Sequence, residues 1–369
     1  MSDARLKGLQ AEMEKAALDL VALLPGPNLV FLSGLSFHLM ERPVVALIPR
    51  KGMAALVLPE LEAAKVAASR IPFVPFPYGE DEDSRTSAFA AMAKRMEIES
   101  QKLGVEYLRM RVLELRLLEN AAPRVTAVDA GPALASVRMT KDEDEIEAMR
   151  TAVRIAERAF DQTLPAIRAG VREREIAAEL TLQILRAGSD SELPFAPIVA
   201  SGPNAALPHA LPGERMLQSG DLVIIDWGAA HKGYFSDLTR TLAIGTLSDE
   251  LRTVYEVVRR ANQAGREATR PGAMAGDVDA VARSVIAAAG YGERFIHRTG
   301  HGLGLEAHEE PYIREGSALR LAPGMTFTVE PGIYIAGVGG VRIEDDVVVT
   351  AQAAESLSSY PRELIIIPG

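Results

Sequence analysis

Residues 222–241 read LVIIDWGAAHKGYFSDLTRT, and the fold prediction starts from this stretch. An apolar strand ends in Asp226, the turn His231-Lys232-Gly233 follows, and a second strand begins at Tyr234. A turn centred between His231 and Lys232 predicts that Asp226 and Asp237 face each other across a hairpin, with side chains about 5 Å apart. Two carboxylates at that distance repel each other unless a cation joins them, so the pair indicates a metal site.

The same arrangement recurs in residues 327–344, which read FTVEPGIYIAGVGGVRIE. One strand ends at Glu330 and another ends at Glu344, with a glycine-rich turn between them. A hairpin centred on Gly337 predicts that the two glutamates face each other. A second pair of carboxylates therefore adds to the first.

An imidazole completes the set. His301 lies in Thr299-Gly300-His301-Gly302-Leu303-Gly304, where glycines on both sides leave room for close approach by a ligand or a metal. The chain has no cysteine, so thiolate ligands and disulfides are excluded. Four carboxylates and one imidazole are enough for two divalent ions, which lie roughly 3.5–4 Å apart in such sites and activate a shared water. Oxygen-rich ligation favours Mn²⁺, and Co²⁺ and Zn²⁺ are also compatible.

The length of 369 residues predicts two domains, and a composition of 48% hydrophobic and 24% charged residues is typical of globular chains. We expect an α/β (α+β) protein with domains at 1–135 and 136–369. In the first domain, apolar runs at 20–24 and 29–32, a hairpin over 44–58 and a helix at 59–68 predict a partly parallel sheet. In the second, helices are expected at 142–168, 172–187, 248–267 and 278–289. The first of these begins with a capping box from Thr140 to Glu143.

Charge and hydropathy limit the partners. The net charge of −10 argues against nucleic acid, because phosphate binding needs a basic face. No apolar run reaches the roughly 18 residues of a membrane span, and the N-terminal residues lack the apolar core of a signal peptide. The absence of cysteine fits a reducing compartment. We therefore expect a cytoplasmic protein without a membrane partner.

Five motifs resemble those of the pita-bread metallopeptidases, the family of prolidase, Xaa-Pro aminopeptidase and methionine aminopeptidase. They are IIDWGA, SDLTRT, TGHGLGLEAHEEP, TVEPGIY and VRIEDD, which together span about 220–346. NLVFLSGL near the N-terminus and the stretch from Arg138 to Arg150 are similar to the prolidase branch. The resemblance covers nearly the whole chain, and it implies a small creatinase-like α/β domain followed by a pita-bread catalytic domain.

The resemblance also implies a role for each matching position. The metal ligands would be Asp226, Asp237, His301, Glu330 and Glu344, of which Asp237 and Glu344 would bridge both ions. Glu330 would also take and pass on a proton, His209 would lie on the substrate side, and His308 would steady the tetrahedral intermediate. His297, Tyr334 and Arg342 match positions that line the substrate pocket; for Arg342, a salt bridge that holds the carboxylates is an equal alternative.

The implied activity is hydrolysis of the bond between an N-terminal residue and proline, in proline-containing di- or short peptides, by a homodimer. Some prolidases carry an arginine just after HEEP that grips the dipeptide carboxylate, and this chain has Tyr312 there. We therefore predict an Xaa-Pro dipeptidase in which Arg42 or Arg342 takes that task, with an Xaa-Pro aminopeptidase for longer peptides as the alternative. Another small-amide hydrolase or a peptide-binding module on this fold is disfavoured by the complete ligand set. His38 and His231 are expected at the surface.

Overall fold

The computed structural model describes residues 2–369, with side chains from residue 4 onward. The chain divides into two compact units, one up to Arg138 and one from Met139 to Gly369. Each unit has its own sheets and its own apolar core.

The N-terminal unit is built on one six-stranded sheet with the order β4-β3-β2-β1-β5-β6. Three neighbouring pairs in this sheet are parallel and two are antiparallel, so the predicted partly parallel sheet is confirmed. The strands are β1 Leu20–Leu23, β2 Val45–Pro49, β3 Ala54–Pro59, β4 Phe73–Tyr78, β5 Lys102–Val105 and β6 Thr126–Asp129. The helices are α1 Ser2–Lys15, α2 Pro27–Ser33, α3 Glu82–Met96, α4 Val112–Ala121 and α5 Gly131–Arg138.

Two apolar runs of the N-terminal unit form different elements. The first, at 20–24, contains β1, whereas the second, at 29–32, lies inside α2. Pro27 occupies the first turn of that helix and Gly34 ends it in the left-handed conformation with φ 75°. Pro27 and Gly34 therefore identify this segment as a helix, whereas a run of four apolar residues fits a helix and a strand equally well. The hairpin over 44–58 is confirmed by β2 and β3, and residues Glu60–Ala68 form a 3₁₀ helix.

The C-terminal unit contains four long helices and strands whose neighbouring pairs are antiparallel, except for the parallel pair of the strands at 238–244 and 365–367. The helices are α6 Glu143–Thr163, α7 Glu173–Arg186, α8 Asp249–Ala268 and α9 Ala275–Ala288, with short 3₁₀ turns at Leu164–Ala166, Gly202–Ala206 and Gly292–Arg294. On one side, Phe160 of α6 stacks on Trp227 with 4.3 Å between ring centroids. The Trp227 indole also donates to the Ala156 carbonyl at 2.9 Å, so α6 is fixed against the central strands.

The capping box of α6 lies two residues later than predicted. The Asp142 carboxylate accepts from the Glu145 amide at 2.9 Å, and the Glu145 carboxylate accepts from the Asp142 amide at 2.8 Å. Thr140 instead forms a β-bridge with Met325. Because that bridge keeps Thr140 in extended backbone, the helix begins only after Asp142.

The strands of this unit form two larger sheets and two short ladders, with the orders β19-β11-β8-β7, β13-β12-β14-β17-β18, β10-β9 and β15-β16. Their bounds are β7 Ile198–Ser201, β8 Leu222–Trp227, β9 Ala230–His231, β10 Tyr234–Phe235, β11 Leu238–Ile244, β12 Gly300–Gly302, β13 Glu309–Ile313, β14 Thr326–Val329, β15 Gly332–Ile335, β16 Gly339–Arg342, β17 Asp345–Val349, β18 Ala354–Ser356 and β19 Ile365–Ile367.

The register of the first hairpin differs from the prediction by two residues. Asp226 pairs with Thr239, and not with Asp237. The turn is centred between Lys232 and Gly233, whose φ angles of 53° and 78° match the two left-handed positions of a type I′ turn. A shift of two preserves the face, so Asp226 and Asp237 are diagonal neighbours on one side of the hairpin.

The register of the second hairpin is as predicted. Ile335 pairs with Gly339 and Gly332 with Arg342, around Gly337 at φ 75°. The same register continues beyond the short ladder, where Val329 pairs with Asp345. Glu330 and Glu344 therefore face each other at the junction between the β15-β16 ladder and the β14-β17 ladder.

Candidate metal centre

Each of the five predicted ligands lies at or beside the end of a strand. Asp226 is near the end of β8, Asp237 precedes β11, His301 is the middle residue of β12, Glu330 follows β14 and Glu344 precedes β17. These strands belong to both larger sheets of the C-terminal unit. The site therefore forms where the two sheets approach each other.

The ligand atoms of these residues converge. His301 Nε2 lies 3.3 Å from Glu330 Oε1 and 3.8 Å from Asp237 Oδ2. Three groups have all their potential ligand atoms within 4.8 Å of one another: Asp237-His301-His308, His301-Glu330-Glu344 and Asp226-Asp237-Glu344. The structure thus brings all five predicted residues into one cluster and adds His308 to it.

Burial and like charge make this cluster unfavourable in its ionised form. Burial first, and then the charges of Glu344 and Asp226, raise the pKa of Asp237 well above its usual range. Burial and Glu330 do the same to the pKa of Glu344, and burial raises the pKa of Glu330 to about 7 against the opposing charge of Arg342. Burial also lowers the pKa of His301, with a further contribution from His308.

The residues fit a divalent cation. Among the described residues, Asp226 Oδ1 is buried and accepts no hydrogen bond from the protein, whereas Asp226 Oδ2 accepts from Arg342 Nη2. A buried carboxylate oxygen without a donor is costly unless a cation satisfies it. Carboxylate oxygens and a neutral imidazole are the donors that Mn²⁺, Co²⁺ and Zn²⁺ accept, so the donor set and its excess negative charge both suit such ions.

The glycines beside His301 are required by neighbouring backbone. A Cβ on Gly300 would lie 1.8 Å from the Thr328 carbonyl oxygen, and one on Gly302 would lie 2.3 Å from the Glu310 backbone. The room that the sequence reserves around His301 is therefore filled by the adjacent strands, and not by a ligand. Thr328 Oγ1 also accepts from the His301 amide at 3.2 Å, which fixes the strand that carries the imidazole.

Arg342 is buried and holds the carboxylates from behind. Its Nη2 donates to Asp226 Oδ2 at 2.6 Å, its Nη1 donates to Tyr334 Oη at 3.1 Å and to the Pro208 carbonyl at 3.2 Å, and its Nε donates to Thr239 Oγ1 at 3.1 Å. The Thr239 hydroxyl in turn donates to Glu344 Oε2 at 2.5 Å. Most of the guanidinium donors are thus already used within the protein.

His297 and Tyr334 form a neutral pair beside this arginine. His297 Nδ1 lies 2.7 Å from the Arg298 carbonyl, and its Nε2 lies 2.9 Å from Tyr334 Oη. Burial lowers the pKa of His297 to about 4 and raises that of Tyr334 to about 12. In the neutral ring Nδ1 must carry the proton to meet a carbonyl, so Nε2 accepts from the tyrosine hydroxyl.

The two remaining predicted histidines lie at the exposed side of the cluster. The His308 ring lies 3.8 Å from the His301 ring, and burial lowers its pKa, with Arg298 as the next cause. His209 is exposed. Burial raises the pKa of Asp226 against the opposing charge of Arg342. The carbonyl of Pro208, the residue before His209, accepts from Arg342 Nη1 at 3.2 Å, so the backbone at His209 lies beside the cluster.

Three polar groups beside the site were missed in the sequence. Arg298 packs over the Tyr312 ring at 4.2 Å and lies 3.5 Å from His308 Nδ1. Lys141 forms a buried ion pair of 2.7 Å with Glu309, the residue after His308. Arg298 directly precedes the Thr299-Gly300-His301 motif, and this position is a sequence signal that could have identified it. No local sequence pattern indicates the pairing of Lys141 with Glu309.

His38 is exposed as expected, whereas His231 is half-buried. His231 is the last residue of β9 and pairs with Tyr234, so the neighbouring strand covers part of its side chain. Arg42, proposed above as a carboxylate clamp, forms an ion pair with Glu80 at 3.0 Å in the N-terminal unit.

Comparison with known proteins identifies the class that this fold and site define. The model of metallopeptidase family M24 matches residues 147–351, and that of the creatinase/prolidase N-terminal domain matches residues 5–140. The chain belongs to metallopeptidase family M24, whose members use divalent metal ions. The predicted fold class, a creatinase-like N-terminal domain followed by a pita-bread domain, is thereby confirmed.

Similar proteins carry names that agree with this family. The chain is 37% identical over 375 residues to the probable dipeptidase PepE of Mycobacterium tuberculosis, which covers 99% of this chain and 96% of the relative. It is 36% identical to an Xaa-Pro dipeptidase of Lactobacillus delbrueckii over 78% of each chain. Among solved structures, a prolidase from Thermococcus sibiricus matches with a TM-score of 0.93 and 36% identity over 100% of this chain and 99% of that one. An X-Pro aminopeptidase from Thermotoga maritima matches with a TM-score of 0.84 and 30% identity over 100% and 99%.

None of the helices in the described part of the chain is long and apolar enough to cross a membrane.

Proposed function

We propose that this protein is an Xaa-Pro dipeptidase that works with two divalent metal ions. The observation that carries the proposal is the convergence of five ligand side chains, each at most 15% exposed, whose negative charge exceeds what the protein neutralises. The proposal also draws on the relatives that are named as dipeptidases, Xaa-Pro dipeptidases and prolidases.

The grouping of the ligand atoms supports a shared site for two ions. Asp237 belongs to two of the three groups, once with His301 and once with Asp226. Glu344 likewise belongs to two groups. His301 also belongs to two groups, but an imidazole binds an ion through one nitrogen, whereas a carboxylate offers two oxygens. Asp237 and Glu344 are therefore our candidates for bridging residues, and the oxygen-rich set favours Mn²⁺. Two divalent ions held in this way supply an activated water and polarise the scissile carbonyl.

The residues of the chain then handle protons and charge. Cleavage before proline releases a secondary amine, so the prolyl nitrogen must gain a proton. We assign this transfer to the Glu330 carboxyl, which lies within the cluster, 3.3 Å from His301 Nε2, and can both take and give a proton. His308 and His209, at the exposed side of the cluster, are candidates to donate an N–H to the developing oxyanion and to the substrate.

The pocket beside these groups is held by His297, Tyr334 and Arg342. Because the donors of Arg342 already hold Asp226, Tyr334 and the backbone, we favour its role as the residue that orients the carboxylates. A dipeptide clamp then has to come from elsewhere. Arg298, packed over the Tyr312 ring beside His308, is the cation that best replaces the arginine missing at position 312.

Cleavage of Xaa-Pro dipeptides by the Mn²⁺-loaded protein tests the proposal. The expected result is hydrolysis that is lost after chelation and restored by Mn²⁺. Asp237→Asn should be inactive, whereas the exposed Asp144→Asn on α6 should retain wild-type activity as a matched control. A wild-type protein that binds Mn²⁺ yet hydrolyses no Xaa-Pro peptide would refute the assignment.

An Xaa-Pro aminopeptidase is the second candidate, because Tyr312 takes the place of a carboxylate-binding arginine. Assays of Xaa-Pro beside Xaa-Pro-Xaa separate the two activities. Cleavage of tripeptides alone would support the aminopeptidase. Arg298→Met should raise the KM for the dipeptide more than that for the tripeptide if Arg298 binds the C-terminal carboxylate.

The native state and location complete the proposal. We expect a homodimer in the cytoplasm, by analogy with the family. Light scattering of the purified protein gives its mass in solution, and fractionation of the source cells gives its location.

A further inference from the structure

Glu173, the first residue of α7, is a fully buried carboxylate outside the metal centre. It accepts from the Ser201 amide at 2.8 Å, from Ser201 Oγ at 2.7 Å and from the Gly213 amide at 3.1 Å. Asn204 Nδ2 lies 3.1 Å from each of its two oxygens. Charged side chains are almost never fully buried unless they are paired or hydrogen-bonded, so the partners of this carboxylate indicate what it does in the fold.

The partners of Glu173 lie at the two ends of one loop. We call residues 201–213 the His209 segment, because His209 lies within it. Glu173 contacts Ser201 and Asn204 at the start of the segment and Gly213 at its end. The backbone of α7 adds a further bond at the end of the segment, from the Arg174 amide to the Gly213 carbonyl at 3.2 Å. One side chain therefore joins both ends of the segment to the start of a helix.

Several side chains in the middle of the segment are exposed, although Ala205 and Ala210 are buried. Leu207 and Leu211 are 61% and 85% exposed, and His209 between them is exposed as well. The Pro208 carbonyl accepts from Arg342 Nη1 at 3.2 Å, which ties this part of the segment to the metal centre. Because exposed loop residues retain much conformational freedom, the position of His209 depends in part on how firmly the two ends are held, in addition to the burial of Ala210 and the bond to Pro208.

We propose that Glu173 is a positioning residue that holds His209 at the substrate side of the metal centre. The inference rests on the proposed function, in which His209 meets the substrate. The groups around the carboxylate are two backbone amides, a hydroxyl and a side-chain amide, which donate to it. A glutamine at this position would direct its own NH₂ at some of these donors, so at least one end of the segment would be released.

The test compares Glu173→Gln with Glu175→Gln. Glu175 lies on the same helix, is exposed and accepts from the Arg172 amide at 2.8 Å, so its variant controls for changes at the start of α7. For Glu173→Gln we expect kcat/KM on an Xaa-Pro dipeptide to fall about 100-fold, the scale of a misplaced catalytic group. The melting-temperature gain on Mn²⁺ addition should stay at the wild-type value, and Glu175→Gln should leave both quantities unchanged.

A double-mutant cycle shows whether Glu173 acts through His209. In an His209→Ala background, Glu173→Gln should lower kcat/KM by less than about threefold, because the group that it positions is gone. An equal loss in both backgrounds would overturn the proposal. If Glu173→Gln does not fold, Ser201→Ala removes a single bond to the same carboxylate, and the same cycle with His209→Ala decides.

Hydrogen exchange gives a readout that does not depend on activity. Glu173→Gln should speed amide exchange within the His209 segment while the amides of β8 and β11 keep wild-type protection. Unchanged exchange in the segment would overturn the proposal even if the activity fell. A wild-type protein without Xaa-Pro activity would refute the proposed function, and the exchange experiment would still decide whether Glu173 holds the segment.

Discussion

The buried ion pair between Lys141 and Glu309 offers a quantitative test of how the histidine beside it is held. Lys141 Nζ lies 2.7 Å from Glu309 Oε1, and the two side chains are only 2% and 8% exposed. Glu309 also accepts from the Glu306 amide at 3.3 Å, so its carboxylate fixes the turn that carries His308. The perturbation is Lys141→Met, which keeps the length of the apolar stem but removes the charge.

The structure sets the expected magnitude. Removing one partner of a buried ion pair leaves an uncompensated charge and costs about 3–5 kcal/mol. Arg154 and Glu147 in the same unit provide a matched control, because they are also 2.7 Å apart but 59% and 56% exposed. Arg154→Met should therefore change the free energy of unfolding by less than about 1 kcal/mol.

The assay is chemical denaturation of the metal-free protein, followed by circular dichroism and with the two units resolved where their transitions separate. Glu309→Gln and the double variant Lys141→Met/Glu309→Gln complete a cycle, in which the double variant should be more stable than Lys141→Met alone. Activity should fall in Lys141→Met, since the His308 turn loses its anchor. If Lys141→Met and Arg154→Met lower the free energy of unfolding equally, burial does not make the loss of the Lys141–Glu309 ion pair more costly, and the reasoning is refuted.

Three further predictions concern the metal centre itself. A hundredfold excess of Mn²⁺ over its Kd should stabilise the protein by about 2.7 kcal/mol, a rise in melting temperature of roughly 5–10 °C. Asp237→Asn should lose this gain. After chelation this variant should be at least as stable as wild type, because the raised pKa of Asp237 opposes folding at neutral pH and an amide does not titrate. Burial raises the pKa of Glu330 to about 7, so its contribution to the stability of the metal-free protein is full below pH about 4 and is lost as the pH rises through 7. The Mn²⁺-induced rise measured by differential scanning fluorimetry should therefore grow from pH 5 to pH 8, and a flat profile would contradict the buried, protonated carboxyl. Gly302→Ala should cost about 2 kcal/mol or more and abolish Mn²⁺ stabilisation, since its Cβ would lie 2.3 Å from the Glu310 backbone; wild-type melting behaviour would show that this strand can move.

The two hairpins show how far the sequence determines a register. The predicted turn at Gly337 agrees with the structure, and a glycine there suits the positive φ of that position. In the first hairpin Lys232 also adopts a positive φ, which lysine rarely does, and the predicted centre was therefore displaced toward His231. The face of Asp237 was nevertheless correct, since a shift of two residues does not change it.

The clustering of the five candidate ligands could be predicted because these residues lie in short motifs at strand ends. The groups that hold those ligands could not, because their partners are distant in the chain and carry no local pattern. Lys141 and Glu309 are separated by 168 positions, and Arg342 reaches Asp226 across 116. Whether Arg342 binds substrate or orients carboxylates was open in the sequence for the same reason. The hydrogen bonds to Asp226 and Tyr334 favour the second role, and they depend on the fold as a whole.

The shared register on both sides of Glu330 and Glu344 has a consequence for how this hairpin can vary. The β14-β17 ladder fixes Glu330 and Glu344 from one side, so an insertion between the two glutamates lengthens only β15, β16 or the turn at Gly337. If equal numbers of residues are added to β15 and β16, the strand pairs between the insertion and the glutamates stay the same. A single added residue has no partner and must be absorbed as a bulge. The number of residues between the two carboxylates is therefore free to change in steps of two, while their separation in space is not.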